Sequence, residues 1–151
     1  MRLYLDLCCF NRPFDNQDQL IVRLQTEAKL NVQMLIRSGT YELAWSAILD
    51  LENVANPDPH RMAAIGVWKI LATVDIDTTI QVEQLADELI QLGLKAKDAL
   101  PIASAIEMEA DFFITTDKAI LCKMSSETRI RAVDPIDFVR HFEEPSDANR
   151  S

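Results

Sequence analysis

Two carboxylates bracket the stretch DALPIASAIEMEADFFITTD, residues 98–117, with Asp98 at its start and Asp117 at its end. Asp98 opens a helical pattern that keeps Pro101 in its first turn and continues through Ile102, Ala103, Ala105 and Ile106. Phe112–Thr115 then reads as a buried strand, and Asp117 follows where that strand should end. Two more acids are placed to meet this pair. Asp6 interrupts the apolar run Leu3–Leu7, and Glu52 lies about a turn and a half into a short helix after Ser46. Four carboxylates gathered at one place repel each other and raise their own pKa values. A hard divalent cation removes that cost, because Mg²⁺ takes oxygen ligands, keeps several waters and needs few carboxylates. The chemistry such a site offers is attack of a metal-activated water on a phosphodiester.

Spacing alone is a weak signal in a chain with 24 acids. Asp98 and Asp117 equally suit an N-cap and a turn, and composition by itself favours that reading. Asp6 is the most suggestive of the four, since an unpaired acid inside an apolar strand is costly. Asp50 and Glu52 cannot share a helix face, so one of the two is only solvated.

Strands are expected at Leu3–Leu7, Tyr41–Ser46, Ala72–Ile76, Phe112–Thr115 and about Ile130–Val133. Between them, Ile21, Leu24, Ala28, Val32 and Leu35 predict a helix over Asp18–Ser38, stopped by Gly39. Ser46 caps the helix that Pro57 and Pro59 end, and Arg61–Leu71 reads as one helix, apolar over most of its girth. Thr78 or Thr79 caps a helix stopped by Gly93, Lys118–Met124 forms a short one, and Asp134-Pro135 starts the last, to about Phe142. This alternation predicts an α/β fold with a central, mostly parallel sheet of about five strands covered on both faces. A domain over residues 1–142 and a polar tail over 143–151 follow. With so many helices for so few strands, one helical pair is expected to stand off as a clamp or dimer face.

The net charge of −9 argues against binding nucleic acid by charge alone. Cys8, Cys9 and Cys122 form no metal-binding pattern and read as small apolar residues of a reducing cytoplasm. No secretion signal and no apolar run of membrane-spanning length is present. Asn11 and Arg12 either shape the turn after the first strand or reach back over its acid.

The segments LYLDLCCFNRPFD, WSAILDLE and KDALPIASAIEMEADFFITTD resemble the motifs of the PIN domain, over Leu3 to about Phe138. That family groups metal-dependent ribonucleases, including toxins of VapBC-type toxin–antitoxin pairs. The resemblance implies a three-layer α/β/α fold and a Mg²⁺- or Mn²⁺-dependent endoribonuclease whose four acids are Asp6, Glu52, Asp98 and Asp117. Glu52 takes that place over Asp50 because it has the family's distance from Ser46. Thr115 or Thr116 adds a weaker polar contribution, and Asn11, Arg12, Lys95, Lys97 and Lys118 are candidates to guide an RNA backbone. The resemblance implies an antitoxin protein as partner, and the helices around Ile21–Leu35 and Met62–Leu71, too apolar for a lone surface layer, predict a homodimer burying part of that face. The alternative is a non-catalytic PIN-like interaction module; a phosphatase or receiver domain ranks third, since Cys8 and Lys118 do not suit those sites.

Overall fold

Leu3, Tyr4 and Leu5 are all fully buried, and the rest of the chain is built outward from them. The computed structural model describes residues 1–142, so the expected tail over 143–151 lies outside the described residues. Strand β1 (Arg2–Leu5) runs directly into helix α1 (Leu7–Asn11) and a 3₁₀ turn at Arg12–Phe14. There follow α2 (Leu20–Arg37), β2 (Glu42–Ser46), α3 (Ala47–Val54), α4 (Pro59–Gly66) and β3 (Ala72–Ile76). After these come α5 (Ile80–Gln91), α6 (Ala96–Glu107), β4 (Phe112–Ile114), α7 (Lys118–Lys123) and β5 (Arg131–Val133). The short α8 (Pro135–Asp137) continues into a π-helical turn, Phe138–Phe142.

The five strands form one sheet in the order β3-β2-β1-β4-β5, and every pairing is parallel. The chain leaves β1 in both directions, first toward β2 and β3 and later toward β4 and β5. Right-handed crossovers therefore put α2 and α4 on one face and α5 to α7 on the other. The place where the direction reverses, between the carboxyl ends of β1 and β4, is where such sheets take ligands.

Local signals account for most element ends. Ser46 Oγ accepts from the Leu49 amide and Thr79 Oγ1 from that of Val82, so both caps close as expected. Gly39 and Gly93 end α2 and α5 with φ of 85° and 108°, a conformation glycine adopts without strain. Three expectations are corrected. The strand at the N-terminus stops at Leu5, because Asp6 caps α1 and turns Cys8 and Cys9 into helical residues. The helix expected over Arg61–Leu71 is α4 followed at Val67 by a 3₁₀ segment, Val67–Leu71, leaving Val67, Ile70 and Leu71 exposed. And α6 begins at Ala96, two residues before Asp98, so Pro101 lies inside it.

The α2 helix leaves much of its apolar surface outside. Ile21 and Leu24 are exposed, as are Leu20, Leu30 and Met34, while the core side carries Val22, Gln25, Thr26, Lys29, Val32, Gln33 and Ile36. Polar residues can hold that side because partners meet them. Gln25 takes the Arg12 guanidinium at 2.8 Å and donates to Asp134 at 2.9 Å, and Thr26 donates to the Arg12 carbonyl at 3.1 Å. Gln25 thereby ties the loop after β1 to the cap of α8. The α3 helix also leaves apolar side chains outside, at Leu51 and Val54. The α5 helix buries Val82, Ala86 and Leu89.

Replacing Gln25 by the similarly sized Leu strands both partners, and urea unfolding should show a loss of about 1–3 kcal/mol with an unchanged m-value. A loss below about 0.5 kcal/mol, within the usual effect of a surface substitution, would mean that the bridge does not hold the two segments together.

Candidate functional site

The Asp6 carboxylate sits at the switch point, 8% exposed. Its Oδ1 accepts from the Leu7 amide at 2.9 Å, and its Oδ2 accepts from the Thr115 hydroxyl at 2.9 Å. Strand pairing makes the second bond possible: Leu5 is level with Ile114, and the Asp6 amide donates to the Ile114 carbonyl at 2.9 Å. Burial pushes the Asp6 carboxyl above its ordinary pKa; hydrogen bonds from Thr115, Cys8 and Leu7 oppose this, and the Asp98 charge adds to it.

Thr115 is the joint between two acids. While donating to Asp6, its Oγ1 accepts from the Asp117 amide at 3.1 Å. Asp117 in turn caps α7, its Oδ1 accepting from Ala119 at 2.9 Å and Ile120 at 3.2 Å. Cys8 belongs to the same network, with Sγ 3.5 Å from Asp6 Oδ2, 3.4 Å from Thr115 Oγ1, and accepting from the Thr116 amide at 3.4 Å. Sequence reasoning treated Cys8 as a buried apolar residue. The signal available was its place two residues after Asp6, which on a helix started by that acid turns it back toward the cap.

Glu52 arrives from the other side of β1. Ser46 starts α3 directly at the end of β2, and the Tyr4 and Ser46 hydroxyls share a buried hydrogen bond of 2.6 Å beneath it. Asp50 faces elsewhere, accepting from Trp45 Nε1 and Lys69 Nζ at 2.9 Å each. Glu52 Oε1 is buried with no hydrogen-bond partner. Burial, then the charges of Asp6 and Asp98, push its carboxyl up to about 7. Asp98, third residue of α6 and half-buried, forms no hydrogen bond or ion pair through its carboxylate among the described residues. Asp6, Glu52 and Asp98 thus share one electrostatic field, and Asp117 joins through Thr115.

Among the described residues, no three His, Cys, Asp or Glu side chains form a ready cage for an ion. The donors present are nonetheless of the kind a hard divalent cation takes: carboxylate oxygens, one of them buried without a donor, under mutual repulsion. The flanking candidates are less uniform. Arg12 does not reach back over the acids, because Gln25 and Asp15 hold its guanidinium at 2.8 and 2.9 Å. Asn11 accepts from Asn56 at 3.2 Å, Thr116 is half-buried, and Lys95, Lys97 and Lys118 are exposed.

No protein-family model and no curated protein matches the chain. Among solved structures, the chain is similar to one in the VapBC2 complex from Rickettsia felis, whose crystal structure is bound to a DNA fragment from their promoter. The TM-score is 0.54 at 16% identity, over 87% of this chain and 97% of that one. At that identity the likeness is one of fold. The five-stranded parallel sheet with helices on both faces is the three-layer α/β/α PIN-like fold.

The Glu52 shift has a sign that can be measured. Between its ordinary pKa of 4.5 and about 7, the folded protein binds more protons than the unfolded chain, so stability falls as pH rises through that window. Glu127 acts in a separate, lower window, since hydrogen bonds from Arg129 hold its carboxyl down to about 2. Metal-free protein should lose about 1–2 kcal/mol on going from pH 4.5 to 7, allowing for Glu52's partly solvated position. Glu52→Gln should flatten this loss in chemical denaturation across pH; an unchanged slope would place the buried charge elsewhere.

Proposed function

We propose that this chain is a Mg²⁺- or Mn²⁺-dependent endoribonuclease, the toxin of a type II toxin–antitoxin pair acting in the cytoplasm with an antitoxin as partner. One observation carries the reading: Glu52 presents a buried, unpartnered carboxylate oxygen into the field of Asp6 and Asp98, at the switch point of a PIN-like sheet. Nothing in the described structure compensates that arrangement, and a divalent cation would. The similarity to a chain of a VapBC2 complex supports the toxin assignment and the antitoxin partner.

Asp6, Asp98 and Asp117 would hold the ion, and Glu52 would hold a second ion or orient the attacking water. When bound, the metal supplies a water of lowered pKa and neutralises charge on the phosphodiester. Thr115 keeps Asp6 and Asp117 in a fixed relation, with one hydroxyl serving both. Glu52, with its carboxyl raised to about 7, is suited to take a proton from water near neutral pH. In-line attack by water leaves 5′-phosphate and 3′-hydroxyl ends. Asn11, Thr116, Lys95, Lys97 and Lys118 flank the acids along the RNA path; Arg12 acts on the fold through Gln25. A chain of net charge −9 grips a polyanion poorly, so affinity should be low and fall with salt. The outward apolar side of α2 and the exposed Val67, Ile70 and Leu71 are the surfaces on which a homodimer would form.

A second reading has its own observation. Asp6 and Asp117 both serve as helix N-caps, a structural use that a non-catalytic interaction module would keep. Asp6→Asn separates the two, because asparagine caps as well as aspartate. It should abolish Mg²⁺-dependent cleavage of RNA while the melting temperature stays at or above wild type. Calorimetry showing no Mn²⁺ or Mg²⁺ binding up to millimolar concentration would favour the module. The double variant Lys95→Glu, Lys97→Glu should weaken RNA binding without moving the melting temperature, and unchanged binding would put the RNA elsewhere. Light scattering at micromolar concentration should give a dimer, and a clean monomer would remove that part of the proposal.

A further inference from the structure

The Cys8 thiol stands between the first acid and the segment that carries the last. Because β1 stops at Leu5 and Asp6 caps α1, residue 8 is the second of that helix, and a helical side chain leans back toward the helix start. Its S–H donates to Asp6 Oδ2 at 3.5 Å, and its sulfur accepts from the Thr116 amide at 3.4 Å. Thr115 crosses the same gap in the opposite direction, its hydroxyl donating to the same oxygen at 2.9 Å. Thr115 Oγ1 and Cys8 Sγ are 3.4 Å apart, so these two atoms and Oδ2 form a closed triangle. Burial pushes the Asp6 carboxyl up, and Cys8 stands second only to Thr115 among the hydrogen bonds that oppose this.

The acceptor sites of the carboxylate show what the thiol adds. An ionised carboxylate has about four lone-pair sites, shared between its two oxygens. At Asp6, Thr115 and Cys8 take the sites on Oδ2, and the Leu7 amide takes one on Oδ1 at 2.9 Å. One site is left, on Oδ1. A carboxylate so held meets a cation through a single oxygen, and its plane, otherwise soft about the last side-chain torsion, is fixed by three donors. Hard ions differ in how they respond to that. Mg²⁺ is small and demands near-ideal octahedral geometry, whereas Ca²⁺ takes about six to eight oxygens and accepts both oxygens of one carboxylate. Without the thiol, Oδ2 would regain a site, and chelation by both Asp6 oxygens would be open to the larger ion.

We propose that Cys8 is a positioning residue: its thiol closes the second site on Asp6 Oδ2, confines Asp6 to ligation through one oxygen, and thereby selects Mg²⁺ or Mn²⁺ over Ca²⁺ at the switch point. The inference rests on the metal-dependent reading of the acids and adds to it a side chain that acts only through Asp6. Its sulfur is not a ligand, since its proton faces Asp6 and the Thr116 amide occupies it from the other side.

Binding rather than cleavage is the measurement. Bound Mn²⁺ is read by electron paramagnetic resonance, and Mg²⁺ and Ca²⁺ by displacing it. Wild type should hold Mg²⁺ more tightly than Ca²⁺. Cys8→Ala and Cys8→Val both remove the donor and should narrow the Mg²⁺-to-Ca²⁺ affinity ratio about tenfold, the scale of losing a partner of a metal-ligating side chain. Cys8→Ser keeps a donor and should keep the wild-type ratio. Cys8→Val also retains most of the bulk, which separates hydrogen bonding from packing and carries the test if Cys8→Ala does not fold. Wild type with Co²⁺ should show no sulfur-to-metal charge-transfer band. The proposal is overturned if wild type shows no preference for Mg²⁺, if a folded donorless variant keeps the wild-type ratio, if Cys8→Ser narrows it as far, or if the Co²⁺ band appears and makes Cys8 a ligand. Those failures leave the metal site standing; wild type that binds no Mn²⁺ at millimolar concentration removes the site and this role with it.

Discussion

The hydrogen bond from the Thr115 hydroxyl to the Asp6 carboxylate spans the one place in the sheet where two neighbouring strands are joined by more than 100 residues of chain. It requires β1 and β4 to be adjacent, parallel and in the register that sets Leu5 beside Ile114. Once that register holds, the ends of both strands become helix starts, with Asp6 capping α1 and Asp117 capping α7. Both caps are then locked to each other through a single hydroxyl. Buried carboxylates are costly, and this one is tolerated because it accepts three hydrogen bonds, two of them from its own first helical residues. The pairing of β1 with β4 therefore fixes the geometry of the acids, and the acids fix where α1 and α7 begin.

Glu52 and Asp98 stand in a different relation to that centre. Neither is needed for the helix it sits on: Ser46 caps α3, and α6 starts ahead of Asp98. Their charges nevertheless bear on Asp6 and on each other, which makes the folded chain hold its protons more tightly. A fold selected for stability alone gains nothing from such a cluster. Destabilising charge gathered at a topological switch point is a physical pattern expected of a site that works on a ligand.

The α2 helix shows the same trade in another form. Its inward face carries Gln25, Thr26, Lys29 and Gln33, and several large apolar residues point out. Gln25 and Thr26 hold the loop after β1 in place, so the polar interior supports the scaffold of the acids. Lys29 Nζ lies over the rings of Phe10 and Trp68, and the Gln33 Nε2 is buried without an acceptor. The exposed apolar side asks for a covering surface, so this one helix both supports the acid site and presents a face for contact.

What the sequence by itself determined are the features that depend on neighbours along the chain. Strand and helix types, the caps at Ser46, Thr79 and Asp134, and the stops at Gly39 and Gly93 rest on interactions within a few residues. The alternation of strands and helices was enough to imply a parallel sheet, and the motif resemblance pointed to the fold that the structural comparison bears out. Apolar periodicity placed the α2 helix but could not register that Arg12, Asp134, Phe10 and Trp68 come from elsewhere to meet its polar residues. Cys8 was passed over for the same reason, and of the two roles left open for Arg12 its bonds to Gln25 and Asp15 serve the turn. Only the tertiary structure decided that β1 lies between β2 and β4, which brings Glu52 and Asp98 into the field of Asp6 and lets Thr115 join Asp6 to Asp117. Those relations span tens of residues of intervening chain, and no local propensity encodes a contact whose partner is chosen by the packing of the whole sheet.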